Sequence, residues 1–500
     1  MTAVGPLDAM FLLGETREQP MHVGGLMLFE LPEGARDQVF PDGTRDYVSR
    51  LYQDITENQT INPVFGRRVR NRPLDLGYWT WEQDDEIDLQ YHVRLSGLAR
   101  PARYRELFEL TSRLHGTLLD RRRPLWEMQL IEGVQGRRFA IYTKIHHSMV
   151  DGVTALRWMQ QMLTTDPTKT GMPAPYALPI EQPGGLGEWA RSDRVEPAVG
   201  SGQHVVAGGG PSLAELFAAV GRIPAEAGRA VGGVGRVLGD LAGLSSVGLR
   251  GAFRRLQSEN SSVAFQAPQT IFNQPITGAR RFAAQSWPME RLEKVRANTG
   301  ATLNDVMLAM CSGALRNYLL ELNALPDKAL TAMVPVSLRG SSDTAAPGGA
   351  NSLATLVADL ATDQPDPERR IRRIMESTAG GKQFLSQLSP LQNLMMGAIG
   401  VGSAGPAAVI PGLAGRTAPP YNLVISNIPG PAESPLYWNR SRLLGMYPAS
   451  IVLNGQALNI SVTSYAHQLH FGLTGCRRTV PHLQRLLTHL ETALTELELL

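Results

Sequence analysis

Seven consecutive residues carry the strongest chemical signal in this 500-residue chain: His146-His147-Ser148-Met149-Val150-Asp151-Gly152. With 10 His and 50 Gly in the chain, chance produces this HHxxxDG spacing roughly once in a thousand such chains. Imidazole titrates near neutrality, so a histidine at a strand end can serve as a general base. Residues 138–145 alternate as a strand, with Phe139, Ile141, Thr143 and Ile145 against Ala140, Tyr142 and Lys144. Neighbouring strand residues face opposite ways. His147 therefore shares a face with Ile145 and Thr143, and His146 points away with Lys144. Two adjacent strand histidines chelate poorly, so no metal site is expected. The candidate catalytic set is His147, Asp151, His146 and Gly152. His147 is the base, and His146 reads as a hydrogen-bonded structural neighbour. Asp151 either orients His147, or caps the helix that Asp151-Gly152 opens, which runs to about residue 163, or pairs with an arginine and holds the loop.

The elements that would position this string alternate between helix and strand. Before it, residues 23–29 read as an apolar strand. Residues 104–119 have helical spacing at Leu107, Leu110, Leu114 and Leu118. Residues 172–210 are rich in Pro and Gly and mark a linker. Residues 211–256 form an amphipathic pattern with Arg222, Arg229 and Arg236 on one side, suited either to a protein surface or to an anionic lipid surface. A second mixed region follows. Helices are expected over 289–299, 304–321, 367–387 and 481–497. Strands are expected over 329–336, 351–360, 422–426, 451–452, 457–465 and 469–474. Arg369, Arg370, Arg372 and Arg373 read as one solvated basic face of the third of these helices. The division is 1–171, 172–268 and 269–500.

Composition narrows the partners. At 43% apolar and 19% charged the chain is neither disordered nor unusually polar. Lys+Arg 48 against Asp+Glu 46 leaves a net charge of +2, which argues against a nucleic-acid partner. Cys311 and Cys476 are too few for a disulfide framework or a zinc site, as suits a reducing cytoplasm. The first residues lack the basic and apolar regions of a signal peptide. The uncharged run 383–415 is too interrupted by Gly and by Pro406 and Pro411 to span a membrane.

HHxxxDG is also the signature of the CoA-dependent acyltransferase superfamily, and further segments narrow the resemblance. Pro6-Leu7-Asp8-Ala9-Met10-Phe11-Leu12 is similar to a PLDxxFL opening, and Pro124-Leu125-Trp126-Glu127 to a PLW segment. Asn273-Gln274-Pro275-Ile276-Thr277-Gly278-Ala279-Arg280-Arg281-Phe282 resembles N-x-P-I-[ST]-G-x-R-R-[FLW]. Leu303-Asn304-Asp305-Val306-Met307-Leu308-Ala309, Val334-Pro335-Val336-Ser337-Leu338-Arg339 and Ser426-Asn427-Ile428-Pro429-Gly430-Pro431 resemble NDVVLA, VPVSLR and SNVPGP. Together these resemble the bacterial wax ester synthase/acyl-CoA:diacylglycerol acyltransferases from residue 6 to about 478, with 172–268 unmatched. Ala350-Asn351-Ser352-Leu353-Ala354 departs from the family's GNxxS, and His470-Phe471-Gly472-Leu473-Thr474 from the superfamily's DFGWG.

The resemblance implies a mixed α/β fold of two chloramphenicol-acetyltransferase-like domains with the active-site tunnel at their interface. It implies direct transfer of a long-chain acyl group from acyl-CoA to diacylglycerol or a fatty alcohol, with His147 as base. No acyl-enzyme and no cofactor are implied, since acyl-CoA is a substrate. Asn304 and Asp305 are candidates to shape the tunnel, with helix capping as their other reading. Ser426 and Asn427 are candidate oxyanion donors. The residues that hold the CoA phosphates are not identified; Arg121-Arg122-Arg123 is only the densest local cluster. A cytoplasmic protein is expected, bound peripherally to the membrane face or to lipid droplets. The competing readings are esterification of a specialised polyketide or glycolipid acceptor, and a non-catalytic lipid-droplet coat.

Overall fold

The computed structural model describes residues 2–35, 47–57, 60–71, 79–150, 152–178, 267–337, 353–387 and 418–500. The helix expected over 211–256, most of the linker, the uncharged run beyond 387, the segment 350–352 and Asp151 lie outside the described residues. The first part of the chain supplies strands β1 (Thr2–Ala3), β2 (His22–Glu30), β3 (Arg67–Asn71), β4 (Trp79–Gln83), β5 (Val93–Gly97), β6 (Trp126–Val134) and β7 (Arg138–His146). Its helices are α1 (Pro6–Gly14), α2 (Tyr47–Glu57), α3 (Leu89–His92), α4 (Tyr104–Gly116) and α5 (Gly152–Gln161). The later part supplies β8 (Arg280–Pro288), β9 (Thr331–Ser337), β10 (Leu353–Asp359), β11 (Leu423–Ile428), β12 (Tyr437–Trp438), β13 (Ser441–Ala449), β14 (Leu458–Tyr465) and β15 (Gln468–Cys476). Its helices are α6 (Met289–Thr299), α7 (Leu303–Glu321), α8 (Pro367–Gln387) and α9 (Arg485–Leu497).

These strands build two six-stranded mixed sheets, ordered β12-β13-β2-β7-β6-β5 and β10-β9-β11-β14-β15-β8, with a small sheet β1-β4-β3 beside the first. The mixed α/β fold is the expected one. The chain nevertheless does not divide between the sheets in sequence order. β13 pairs antiparallel with β2, from Leu443 opposite Phe29 to Ala449 opposite Gly24, so the later half of the chain completes the first sheet. No strand forms over 451–452, where one was expected; the strand of this region is Ser441–Ala449. Gly445 and Pro448 break its alternation. Pro448 is tolerated because β13 has only the two-residue β12 on its far side, where little ladder donation is lost.

β13 also lies against the second sheet. A Cβ on Gly472 of β15 would sit 1.9 Å from the carbonyl oxygen of Pro448, closer than any side chain allows. The glycine at this position is therefore the condition for the crossing. A shared cluster of Leu26, Leu28, Leu107 and Tyr142 with Phe282, Ala284 and Ala449 fills the space where the halves meet. Within it α4 rests on β8, and the Phe282 amide donates to Ser112 Oγ at 2.8 Å.

Three local expectations change. Arg370 is not on a solvated face. It is 1% exposed, donates to the carbonyls of Gln364 and Pro365 at 3.1 and 3.3 Å, and meets Glu496 at 3.4 Å. Arg373 bridges Asp359 and Asp363 at 2.6 and 2.9 Å, so only Arg369 and Arg372 of the four keep largely exposed side chains. Residues 172–178, expected as linker, pack on the first core. The Tyr176 ring stacks on Trp126 at 5.1 Å, and Asn62 Nδ2 donates to Leu178 O at 2.8 Å.

Burial lowers the pKa of several histidines, and His115 and His470 contribute to the acid response. His115 donates from Nε2 to Ser450 O at 3.0 Å and accepts at Nδ1 from the Tyr142 hydroxyl at 2.8 Å. His470 donates from Nε2 to Tyr465 O at 3.2 Å and accepts at Nδ1 from Ser286 Oγ at 2.6 Å. Burial pushes their pKa values down to about 3 and about 4. In the unfolded chain both protonate below about pH 6.5, so the unfolded state binds more protons and stability falls as pH falls. Their contribution is complete above about 6.5 and disappears as pH falls toward 4 and then 3. Each removes up to ~1.4 kcal/mol per pH unit in that window. Unfolding midpoints measured from pH 8 to 5 should therefore decline below 6.5, and His470→Gln should flatten the decline; a level profile in both proteins would refute this. Separately, Gly472→Ala should destabilise by about 3 kcal/mol or more, because only backbone can yield. Gly380→Ala, an exposed helical site with open space around it, should be neutral or gain a few tenths of a kcal/mol to ~1 kcal/mol in the same unfolding experiment.

Candidate active site

The HHxxxDG string begins on the last residue of β7, a strand flanked by β2 and β6 and buried along nearly its whole length. His146 pairs across to His22, and Ile145 to Val23 and Trp126. One fully buried cation sits within this strand. Lys144 meets Glu127 at 3.2 Å and donates to Leu114 O and Thr117 O at 3.1 and 2.9 Å, so the ammonium protons all have acceptors. Burial lowers its pKa, and the Glu127 carboxylate works against that drop. The ion pair ties β7 to β6 and to the end of α4.

His146 and His147 part as the strand alternation requires. His146 is fully buried. Its Nδ1 accepts the Ser148 amide at 3.1 Å and lies 2.7 Å from Ser148 Oγ. An accepting Nδ1 leaves the ring proton on Nε2, which faces the Glu15 carboxylate at 3.4 Å. His147, one residue past the strand, is half-buried. Its amide donates to Met21 O at 2.9 Å, and its ring stacks on Phe11 with centroids 4.1 Å apart and planes 15° from parallel. Gly152 opens α5 at the expected place, and Asp151 lies outside the described residues.

Glu15 was not among the expected site residues. Its side chain is 3% exposed. One oxygen accepts from Arg121 Nε at 3.0 Å, and the other from the Met21 amide at 3.2 Å. Burial pushes its pKa up, but His146, Arg121 and the Met21 amide outweigh burial and hold it below the usual carboxylate range. Arg121, first of the three clustered arginines, is thus engaged inside the fold; its Nη2 also donates to Leu12 O at 2.6 Å. Arg122 pairs with Asp120 and Arg123 with Asp88. The segment from Glu15 to Met21 is gripped from the other half as well. Arg280 Nη2 donates to Glu18 O at 2.8 Å, and the Asn454 amide to Gln19 Oε1 at 2.8 Å. A Cβ on Gly278 would stand 2.6 Å from Arg17 O, so only glycine lets the chains approach this closely.

The second-half candidates sit apart in their described contacts. Asp305 accepts from the amide and hydroxyl of Thr302 at 3.0 and 2.6 Å and from Thr378 Oγ1 at 2.7 Å. It is the third-position acid of a capping box whose N-cap is Thr302. Asn304 is half-buried in the same first turn. Ser426 and Asn427 are half-buried on β11, beside Ser461 and Val462 of β14. Cys311 and Cys476 are buried.

Two motif segments prove to be supports. Trp126 donates from its indole to Phe65 O at 2.8 Å and its carbonyl meets His92 Nδ1 at 2.8 Å, which anchors β6 beside β7. Asn273 donates to Gly455 O at 2.9 Å and accepts from Asn422 Nδ2 at 2.8 Å, and so pins the start of the second half. Phe11 and Glu127 lie inside segments whose resemblance was visible, but their partners are distant in sequence and no local pattern points to them.

Comparison with known proteins places the chain in a family. The model of the wax ester synthase/diacylglycerol acyltransferase catalytic domain matches residues 4–307, and that of the WS/DGAT C-terminal domain matches 349–498. The "Probable diacyglycerol O-acyltransferase tgs2" of Mycobacterium tuberculosis is 43% identical over 498 residues, spanning 100% of this chain and 99% of its own. "O-acyltransferase WSD" of Acinetobacter baylyi is 38% identical over 98% of this chain and 96% of its own. Among solved structures, the wax ester synthase/diacylglycerol acyltransferase from Marinobacter aquaeolei VT8 superposes with a TM-score of 0.74 at 37% identity, covering 100% of this chain and 99% of that one. Polyketide synthase associated protein 5 of Mycobacterium tuberculosis shares the fold alone, with a TM-score of 0.50 at 12% identity. The chain belongs to the wax ester synthase/diacylglycerol acyltransferase family, and it is an acyltransferase.

Proposed function

We propose that this enzyme moves a long-chain acyl group from acyl-CoA to the hydroxyl of diacylglycerol, of a long-chain alcohol, or of both, with His147 as general base. The observation that carries the reading is the half-buried His147 ring, placed at the end of β7 and stacked on Phe11. The names of the relatives support the substrate classes. His147 takes the proton from the acceptor hydroxyl, and the oxygen attacks the thioester carbonyl. The tetrahedral intermediate collapses with cleavage of the C–S bond, and the imidazolium returns its proton to the departing thiolate. The products are an ester and CoA. The acyl group arrives already activated, so the balance needs no cofactor. Transfer is direct: with both cysteines buried, neither is offered to a thioester as a nucleophile.

Ser426 or Asn427 of β11 is the proposed oxyanion donor, and Asp151 the proposed support of the loop after His147. His146 and Gly152 serve as supports of the same turn. The substrates are amphiphiles that reside in membranes, so we infer a cytoplasmic enzyme working peripherally at a membrane or lipid-droplet surface. Among the described residues no helix is long and apolar enough to cross a membrane.

CoA release from palmitoyl-CoA tests the reading, with hexadecanol, with dipalmitoylglycerol and with neither. Release should depend on an acceptor, and the ratio of the two rates names the product class. His147→Ala should lower kcat by about 10²–10⁴-fold. Undiminished turnover in that variant would overturn the base assignment. Absence of release with either acceptor from folded wild-type protein would overturn the substrate assignment.

A further inference from the structure

We propose that Phe11 and Glu15 are positioning residues for His147, so that α1 and the turn after it, outside the HHxxxDG string, set the orientation of the base. This rests on the reading of His147 as the general base. The ladder of β7 ends at His146, and His147 is held by other means. Two holds come from the same short segment. The first is the Phe11 ring, nearly parallel to the imidazole at 4.1 Å. A parallel stack of this kind fixes the plane of the imidazole. The second is the Glu15 carboxylate. It accepts the Met21 amide at 3.2 Å, and the carbonyl of the same Met21 accepts the His147 amide at 2.9 Å. The same oxygen faces Nε2 of His146 at 3.4 Å.

One carboxylate therefore fixes the residue that holds the backbone of His147 and the ring of its neighbour. Arg121 supplies the counter-charge at 3.0 Å and joins Glu15 to α1 through Leu12 O. Positioning of this kind acts on the reacting geometry, where misplacement by ~1 Å costs about 10²-fold in rate. It does not act on the affinity for acyl-CoA.

The experiment is steady-state kinetics of Phe11→Leu, Phe11→Tyr and Glu15→Gln beside His147→Ala, with palmitoyl-CoA and whichever acceptor turns over. Phe11→Leu should lower kcat by about 10–100-fold with KM for palmitoyl-CoA within about twofold, and Phe11→Tyr, which keeps the stack, should restore most of the loss. Glu15→Gln should lower kcat about tenfold with the same unchanged KM. Wild-type kcat in Phe11→Leu and Glu15→Gln beside an inactive His147→Ala would overturn the positioning roles and leave the base standing. A raised KM with unchanged kcat would also overturn them, by showing that these residues bind substrate. Full turnover in His147→Ala would remove the base and the inference together. Should Glu15→Gln not fold, the Leu and Tyr variants at the half-exposed Phe11 decide the matter alone.

Discussion

The pairing of β13 with β2 is the constraint on which the rest of the molecule depends. It completes the sheet that carries the histidine strand, and it does so with chain from the other half. Because β13 also lies on β15, the two sheets are held at one separation, set by the missing side chain of Gly472. The Ser450 carbonyl, just past β13, then receives the His115 ring from the end of α4. A strand that belongs to one half by sequence and to the other by hydrogen bonding makes rotation of the halves costly. That rigidity suits a site whose proposed base and proposed oxyanion donors come from different halves.

A second layer of support is electrostatic. The strand that presents His146 and His147 carries Lys144 inside the fold, and the turn opposite carries Glu15. Neither charge is left alone: Glu127 answers the lysine, and Arg121 answers the glutamate. Removing Glu127 would strand the buried lysine, and removing Arg121 the buried Glu15 carboxylate, and either loss costs more than the pair contributes. Residues that bear no direct chemistry thus help to hold the strand and turn in place. The turn from Glu15 to Met21 lies between the histidines and Arg280 and Asn454, so it links the placement of one half to the proposed base of the other.

Much of this was legible in the letters. The histidine string, the strand before it and the helix after it follow from alternation and turn chemistry, as do α6 and α8 to the residue. Asp305 illustrates a local pattern read correctly in kind, since its capping role follows from Thr302 three residues earlier. What stayed hidden depends on distant partners. β13 escaped because Gly445 and Pro448 mask its alternation, and both are permitted by where the strand lies. Arg370 looked solvated because its neighbours in sequence are arginines; the carbonyls and the glutamate that bury it come from other turns. Glu15 carries no motif, and its meaning comes only from His146 and Arg121. Those partners come together only through tertiary structure.

The β13 crossing also has a consequence for synthesis. A ribosome finishes β2 and β7 early, but the strand that covers the open edge of β2 emerges roughly 300 residues after the histidines, on the order of 15–60 s later at about 5–20 residues per second. Throughout that interval an apolar strand, His22–Glu30, offers unpaired amides and carbonyls to any neighbour. The nascent chain thus carries an adhesive edge beside the strand of the histidine string until β13, near residue 440, has been made.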